Sequence, residues 1–176
     1  MASTTIPPQA PAAAGLKEQF LDAYAREIAI TLRVLRAYPA EHSELRPAPI
    51  LKTARELAWM FVMEQGLCMA VLGNQFSIPP GPPPPAPATL AEVIGALEQL
   101  STQLTNQVRA IPEEELLSTF RFYVAPKTLG DIPKIQFLWF ILNDLIHHRG
   151  QFSIYTRMAG GIVPSIYGPT AEEPWY

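Results

Sequence analysis

Asn143-Asp144-Leu145-Ile146-His147-His148-Arg149-Gly150-Gln151, continued by Phe152-Ser153-Ile154-Tyr155-Thr156-Arg157, carries both a structural rhythm and a set of chemically active side chains. Asp144, His148, Gln151 and Tyr155 follow one another at steps of four, three and four, so all four leave the same side of a helix. A carboxylate followed one turn later by an imidazole can share a metal ion, and ligands borne on helices converge inside a bundle. His147 points away from that side. The spacing has a second, purely structural reading, in which Asp144 accepts a hydrogen bond from His148 and the two satisfy a buried polar cluster. Two ligands do not make a site, so a metal requires a third from another helix.

Working outward, this helix reaches back to about Ile132, with Pro133 in its first turn, and forward through Phe137, Phe140, Ile141 and Ile146 to about Met158, where Gly160-Gly161 stops it. A first helix is predicted from Leu16 to Tyr38, because Phe20, Tyr24, Ile28, Val34 and Leu35 repeat at helical intervals up to Pro39. Ser43 to Pro49 reads as a loop. The second helix starts near Lys52 and is apolar on nearly every side between Leu57 and Leu72, as expected of a helix central to a bundle or facing a partner. After Gly73-Asn74, the prolines from Pro79 to Pro87 exclude helix and central strand and form a semi-rigid connector. Thr89 and Glu92 make a capping-box pattern for a third helix that runs to about Ala110. Ser118 to Val124 alternates Phe120, Phe122 and Val124 with polar residues, a short extended piece too isolated to define a sheet. Four long amphipathic helices predict an all-α four-helix bundle, and the long proline-rich connector between helices 2 and 3 lets it depart from simple up-down order.

The chain of 176 residues fits one domain, spanning 16–176, after a Pro/Ala-rich tail over 1–15 that is expected to be disordered. Apolar residues make up 48% and charged ones only 16%, so much helical surface must be buried within the fold or against a second copy; a homodimer is expected. A net charge of -3 with scattered Lys and Arg leaves no source for phosphate neutralisation, which argues against nucleic acid. No run approaches the roughly 18 apolar residues of a membrane span. Cys68 is the single cysteine, so there is no internal disulfide, and a reducing cytoplasm fits.

Residues 143–173, NDLIHHRGQFSIYTRMAGGIVPSIYGPTAEE, resemble the C-terminal signature of the DinB-like family: an HHRGQ core, then a tyrosine, an arginine and a Pro-x-Ile-Tyr-Gly-Pro tail. The resemblance extends over residues 20–72, where Thr31, Val34, Leu35, Pro39, Arg46-Pro47 and Glu56-Leu57-Ala58-Trp59 stand in the expected order. It implies a DinB-like four-helix bundle, commonly dimeric, in which three histidines hold a divalent metal such as zinc or nickel. Characterised members of that family use the metal to activate low-molecular-weight thiols for transfer or isomerisation.

Carried over by position, one ligand falls on His148 and its partner one turn earlier on Asp144, where three-histidine members have His. The helix-two ligand falls on Met60. A thioether is a poor ligand for zinc or nickel, though copper(I) accepts it. Glu64, one turn beyond on the same face, is the replacement, so the expected metal set is Asp144, His148 and Glu64, with Gln151 and Tyr155 as catalytic candidates that orient the substrate. Glu64 also has a bland reading as an ion pair with His148 or an arginine. The expected activity is a metal-dependent thiol transferase or hydrolase. The alternative is a degenerate dimeric bundle that has lost the metal and binds a small molecule or acts as a stress-associated scaffold. Arg149 and Arg157 are read as structural, Cys68 as a buried thiol, Tyr24, Glu27 and Thr31 as a polar pocket wall, and Tyr167-Gly168-Pro169 as a turn that packs the tail onto the bundle.

Overall fold

The apolar stripe at the start of the chain closes into α1 (Leu16–Arg36), which buries Phe20, Tyr24, Ile28, Val34 and Leu35 along one side. This computed structural model describes residues 15–79 and 81–176, so the tail expected to be disordered lies, apart from Gly15, outside the described residues. A 3-10 turn at Ala40–His42 leads to α2 (Ala54–Leu72). Thr53 accepts from the Glu56 backbone N–H while the Glu56 carboxylate accepts from the Thr53 N–H, a reciprocal cap that fixes where α2 begins. Thr89 and Glu92 repeat the device ahead of α3 (Leu90–Ala110).

After α3 the chain departs from a plain bundle. A short α4 (Glu113–Leu117) and a hairpin of β1 (Thr119–Ala125) and β2 (Thr128–Pro133) precede α5 (Lys134–Met158). The segment around Phe120 and Phe122 is therefore not isolated: it pairs antiparallel with Thr128–Pro133, Phe120 opposite Ile132 and Thr119 opposite Pro133. That pairing keeps Ile132 and Pro133 extended, so the last helix starts at Lys134 rather than two residues earlier. Lys127, at φ 59, takes the left-handed conformation in the turn.

α5 packs between α1 and α2, and α3 closes the opposite side against the same two helices. Their directions follow from the contacts at their ends. Gln107 near the end of α3 donates to the Met69 carbonyl near the end of α2 (3.3 Å), while Arg55 at the start of α2 donates to the Pro87 carbonyl just ahead of α3 (2.8 Å). α2 and α3 are thus parallel, and the proline-rich connector is long because it must run back the full length of α2. At ~1.5 Å per helical residue that is roughly 28 Å, well within the reach of an extended proline-rich segment at ~3.1 Å per residue. Lys17 donates to the Ile111 carbonyl, which sets the start of α1 beside the end of α3. The order is up-down-down-up.

The core is built from side chains no more than 1% exposed, among them Phe20, Leu35, Phe61, Leu97, Leu104, Leu138, Leu145 and Phe152. Burial of each contributes roughly 1.5–3 kcal/mol against the entropy of ordering the chain. Gly160, at φ 77, ends α5. A Cβ on Gly161 would stand 2.7 Å from Pro39 Cδ, and this close approach seats the end of α5 against the end of α1.

Candidate metal centre

Antiparallel packing of α2 on α5 brings Glu64 from one helix to Asp144 and His148 from the other. One potential ligand atom of each lies within 4.8 Å of the others. A third potential donor that α5 alone cannot supply thus stands beside the pair, and it is Glu64, the residue expected to substitute for Met60. His148 Nδ1 and Glu64 Oε1 are 2.6 Å apart, and the edge of the imidazole meets Phe61, with ring centroids 6.3 Å apart. Glu64 is buried, whereas Asp144 and His148 are only partly so, which leaves one side of the group open.

Burial pushes the Glu64 carboxyl up to about 6, against the opposing effect of the His148 hydrogen bond. His148 is raised in turn, first by its hydrogen bond to Glu64 and also by the negative charges of Glu64 and Asp144, against the opposing effects of its burial and, more weakly, of the Lys52 charge. The second oxygen of Glu64, Oε2, is buried with no hydrogen-bond partner among the described residues. A buried carboxylate oxygen without a partner is costly, and a cation satisfies it. Two carboxylates and an imidazole suit a divalent ion such as zinc, so the residues present fit a metal. Met60 brings no suitable donor. It stands beside Glu64 and Asp144 in the wall of a cavity of about 400 Å³.

The other residues singled out by sequence fall elsewhere. Gln151 is exposed, with its amide 2.9 Å from His147 Nε2, and Tyr155 is buried, donating to the Lys52 carbonyl at 3.0 Å. Neither belongs to the three-residue group. Arg149 is 1% exposed, donates to the Glu27 carbonyl and to Thr31 Oγ1, and lies 2.8 Å from Glu27 Oε2. Tyr167 accepts from Arg149 (2.5 Å) and donates to Glu27 (2.6 Å), so the tail is tied to the bundle by a buried ionic knot. Glu27 and Thr31 serve that knot rather than a pocket wall. Tyr24 donates to Gln65 within the core. Arg157 pairs with Glu172 of the tail, and burial pushes the Cys68 thiol far up, as befits a structural residue.

Sequence reasoning missed the hairpin's part in the site. Phe122 and Tyr123 of β1, Phe76 of the connector and Phe140 of α5 also line the cavity beside Glu64 and Asp144. The available signal was compositional: five of the eight phenylalanines, Phe76, Phe120, Phe122, Phe137 and Phe140, fall between positions 76 and 140. In the fold they form one aromatic cluster, with Phe122 at 4.8 Å from Phe137 and 5.6 Å from Phe76 between ring centroids.

The fold and the sequence have counterparts among known proteins. The protein named "Uncharacterized protein YrdA" of Bacillus subtilis is 24% identical over 156 residues, 89% of this chain and 90% of that one. A crystal structure of a DinB-like protein from Bacillus cereus superposes with a TM-score of 0.72 at 24% identity, covering 85% of this chain and 97% of that one. A second DinB-like structure, yjoA of Bacillus subtilis, gives a TM-score of 0.64 at 16% identity, covering 84% of this chain and 97% of the other. The sequence profile of the DinB family matches residues 11–175, and the chain belongs to that family.

Proposed function

We propose that this protein is a metal-dependent enzyme of thiol transfer or hydrolysis, with its divalent ion, zinc or nickel, held by Glu64, Asp144 and His148. The observation that carries the reading is the convergence of three ligand atoms within 4.8 Å around a buried carboxylate oxygen that lacks a partner. A bound divalent ion supplies Lewis acidity, bringing the deprotonation of a thiol or water toward neutral pH. The protein's own groups do the rest. Glu64 and Asp144 supply negative charge, and a proton carried on His148 Nδ1, which faces Glu64 Oε1 at 2.6 Å, must leave before that nitrogen can act as a ligand. Phe61 holds the ring edge-on and keeps water from that side. Tyr155 acts as a positioning residue, fixing the Lys52 carbonyl and with it the approach to α2. Gln151 sits one turn past His147, its amide 2.9 Å from Nε2, outside the cavity that Glu64 and Asp144 line, and is assigned no contact with the substrate. Ile154 and Met158, each 54% exposed and one turn apart on α5, offer an apolar face for a homodimer, which sedimentation velocity checks.

Elemental analysis and zinc titration of untagged protein test the metal reading, repeated on Glu64→Gln, Asp144→Ala and His148→Ala. Stoichiometric metal that is lost in each variant is expected; metal no higher than background sinks it. A degenerate, non-catalytic bundle is the second reading. Its support is the 2.6 Å contact that satisfies His148 through Glu64 without any ion, together with Met60 at the expected ligand position.

A further inference from the structure

The cavity beside the metal centre has an unusual polarity. Its volume of about 400 Å³ falls within the roughly 300–1,000 Å³ of small-molecule sites. Its walls come from four places: Met63 and Leu67 on α2, Phe76 and Pro83 on the connector, Phe140 and Ile141 on α5, and Phe122 on the hairpin. Among the described residues, the charged groups that reach it are Glu64 and Asp144 alone, the two carboxylates of the proposed metal set. Tyr123 and Phe140 line it while 45% and 51% exposed, so a large aromatic surface faces water there. Such surface gains roughly 25 cal/mol for every Å² that a ligand covers. With no cation in the lining, an anionic group would meet only carboxylates unless a metal intervened. Met60 continues the apolar wall up to Glu64, where it offers a flexible, polarisable thioether well suited to aromatic contact.

We infer that the substrate is amphiphilic, with an aromatic or branched-alkyl body seated between α2, α5 and the hairpin, and a metal-binding head turned toward Glu64 and Asp144. This deepens the metal reading and rests on it for the head group; the seat for the apolar body is independent of it. Met60 is then a specificity-determining residue that exchanges a donor position for apolar contact with the substrate. A small, highly polar thiol would leave this wall wet and is disfavoured.

Calorimetry with zinc-loaded protein compares acetohydroxamic acid with 4-phenylbutanohydroxamic acid, which share a head group and differ in the apolar body. The phenyl compound is expected to bind at least about tenfold more tightly. Phe140→Ala, at a half-exposed position, and Leu67→Trp, which fills the cavity, should each erase most of that preference and leave acetohydroxamic acid unchanged. Equal affinity for the two compounds overturns the inference with the metal centre still standing. Titration with zinc alone reads the metal reading separately. If zinc does not bind, 4-phenylbutan-1-ol added to the metal-free protein decides the seat: amide resonance shifts at Leu67, Phe122 and Ile141 support it, and their absence overturns it.

Discussion

Replacing Glu64 by leucine should make the metal-free protein more stable and the metal-loaded protein relatively less so. Glu64 is 4% exposed, and burial raises its carboxyl from 4.5 to about 6 even after the opposing help from His148. A folded value above the unfolded one means that folding takes up a proton between the two. The group is therefore neutral to stability below about pH 4.5 and costs progressively more as pH rises through about 6, reaching about 2 kcal/mol at neutral pH. Leucine removes that cost and adds apolar contact with neighbours such as Phe61 in the turn below. His148 loses a hydrogen bond in exchange, a loss of about 1 kcal/mol for a partly exposed imidazole that can shed its proton. A net gain of about 1–2 kcal/mol is expected in chelator at pH 7, read as a higher urea midpoint by circular dichroism. With zinc at about a hundred times its dissociation constant, the unaltered protein gains about 2.7 kcal/mol and the variant gains nothing, so the order of stabilities reverses. A residue kept for function at the expense of stability behaves this way. If Glu64→Leu instead lowers metal-free stability by more than about 1 kcal/mol, Glu64 and His148 are a structural pair and the reasoning fails.

The buried knot in the same bundle should respond in the opposite direction. Glu27→Gln leaves the Arg149 guanidinium buried without its counter-charge and should cost about 3–5 kcal/mol in urea unfolding; a loss below about 1 kcal/mol would mean that Tyr167 and Thr31 suffice. Burial opposes ionisation of Glu27, but its bonds to Tyr167 and Arg149 outweigh it and hold the carboxyl below its ordinary value. Its stabilisation is therefore present above the ordinary carboxylate range and withdrawn as pH falls toward the lower folded value. Melting curves between pH 6 and about pH 3 should fall less steeply for Glu27→Gln than for the unaltered protein. Thr53→Ala removes one half of the cap on α2 and should cost about 1 kcal/mol, with unchanged zinc affinity if the start of the helix frays without shifting Glu64. Met60→His adds a nitrogen donor one turn from Glu64 and should tighten zinc by about tenfold or more in calorimetry; unchanged affinity would place that position outside reach of the ion.

The helices were legible because each follows local rules: a stripe at helical spacing, a Thr–Glu cap at the start of α3, a glycine or proline at the stops. The hairpin was half legible. β1 alternates aromatic and polar residues, but β2, Thr128–Pro133, contains Gly130, Asp131 and Pro133, all poor strand formers, and only its pairing with β1 makes it a strand. The site divides along the same line. Asp144 and His148 belong to one helix, so their spacing alone brings them together. The convergence of Glu64 on them depends on the register of α2 against α5, which no spacing within either helix contains. Spacing also predicts direction but not depth: Gln151 and Tyr155 share a side of α5 with His148, yet one is exposed and the other buried, because the segment ahead of α2 covers Tyr155 through the Lys52 carbonyl.

Met60 shows why that distinction matters for function. Considered position by position, a methionine where the family resemblance implies a histidine subtracts a ligand and leaves a broken centre. In three dimensions the same helical face offers Glu64 one turn later, already in contact with His148 and carrying a buried oxygen that lacks a partner. A centre held by these three groups would have harder chemistry, two carboxylates and one imidazole, which favours an oxygen-tolerant divalent ion over a soft one. The methionine is freed to line the cavity that the hairpin walls on its far side. Both changes follow from one substitution, so they should be separable by experiment: Met60→Leu should leave zinc affinity intact, since no donor is lost, and should retain most of the preference for the phenyl-bearing hydroxamate. A loss of zinc on Met60→Leu would instead show that the thioether is itself a ligand, and with it that the centre is built for a softer ion.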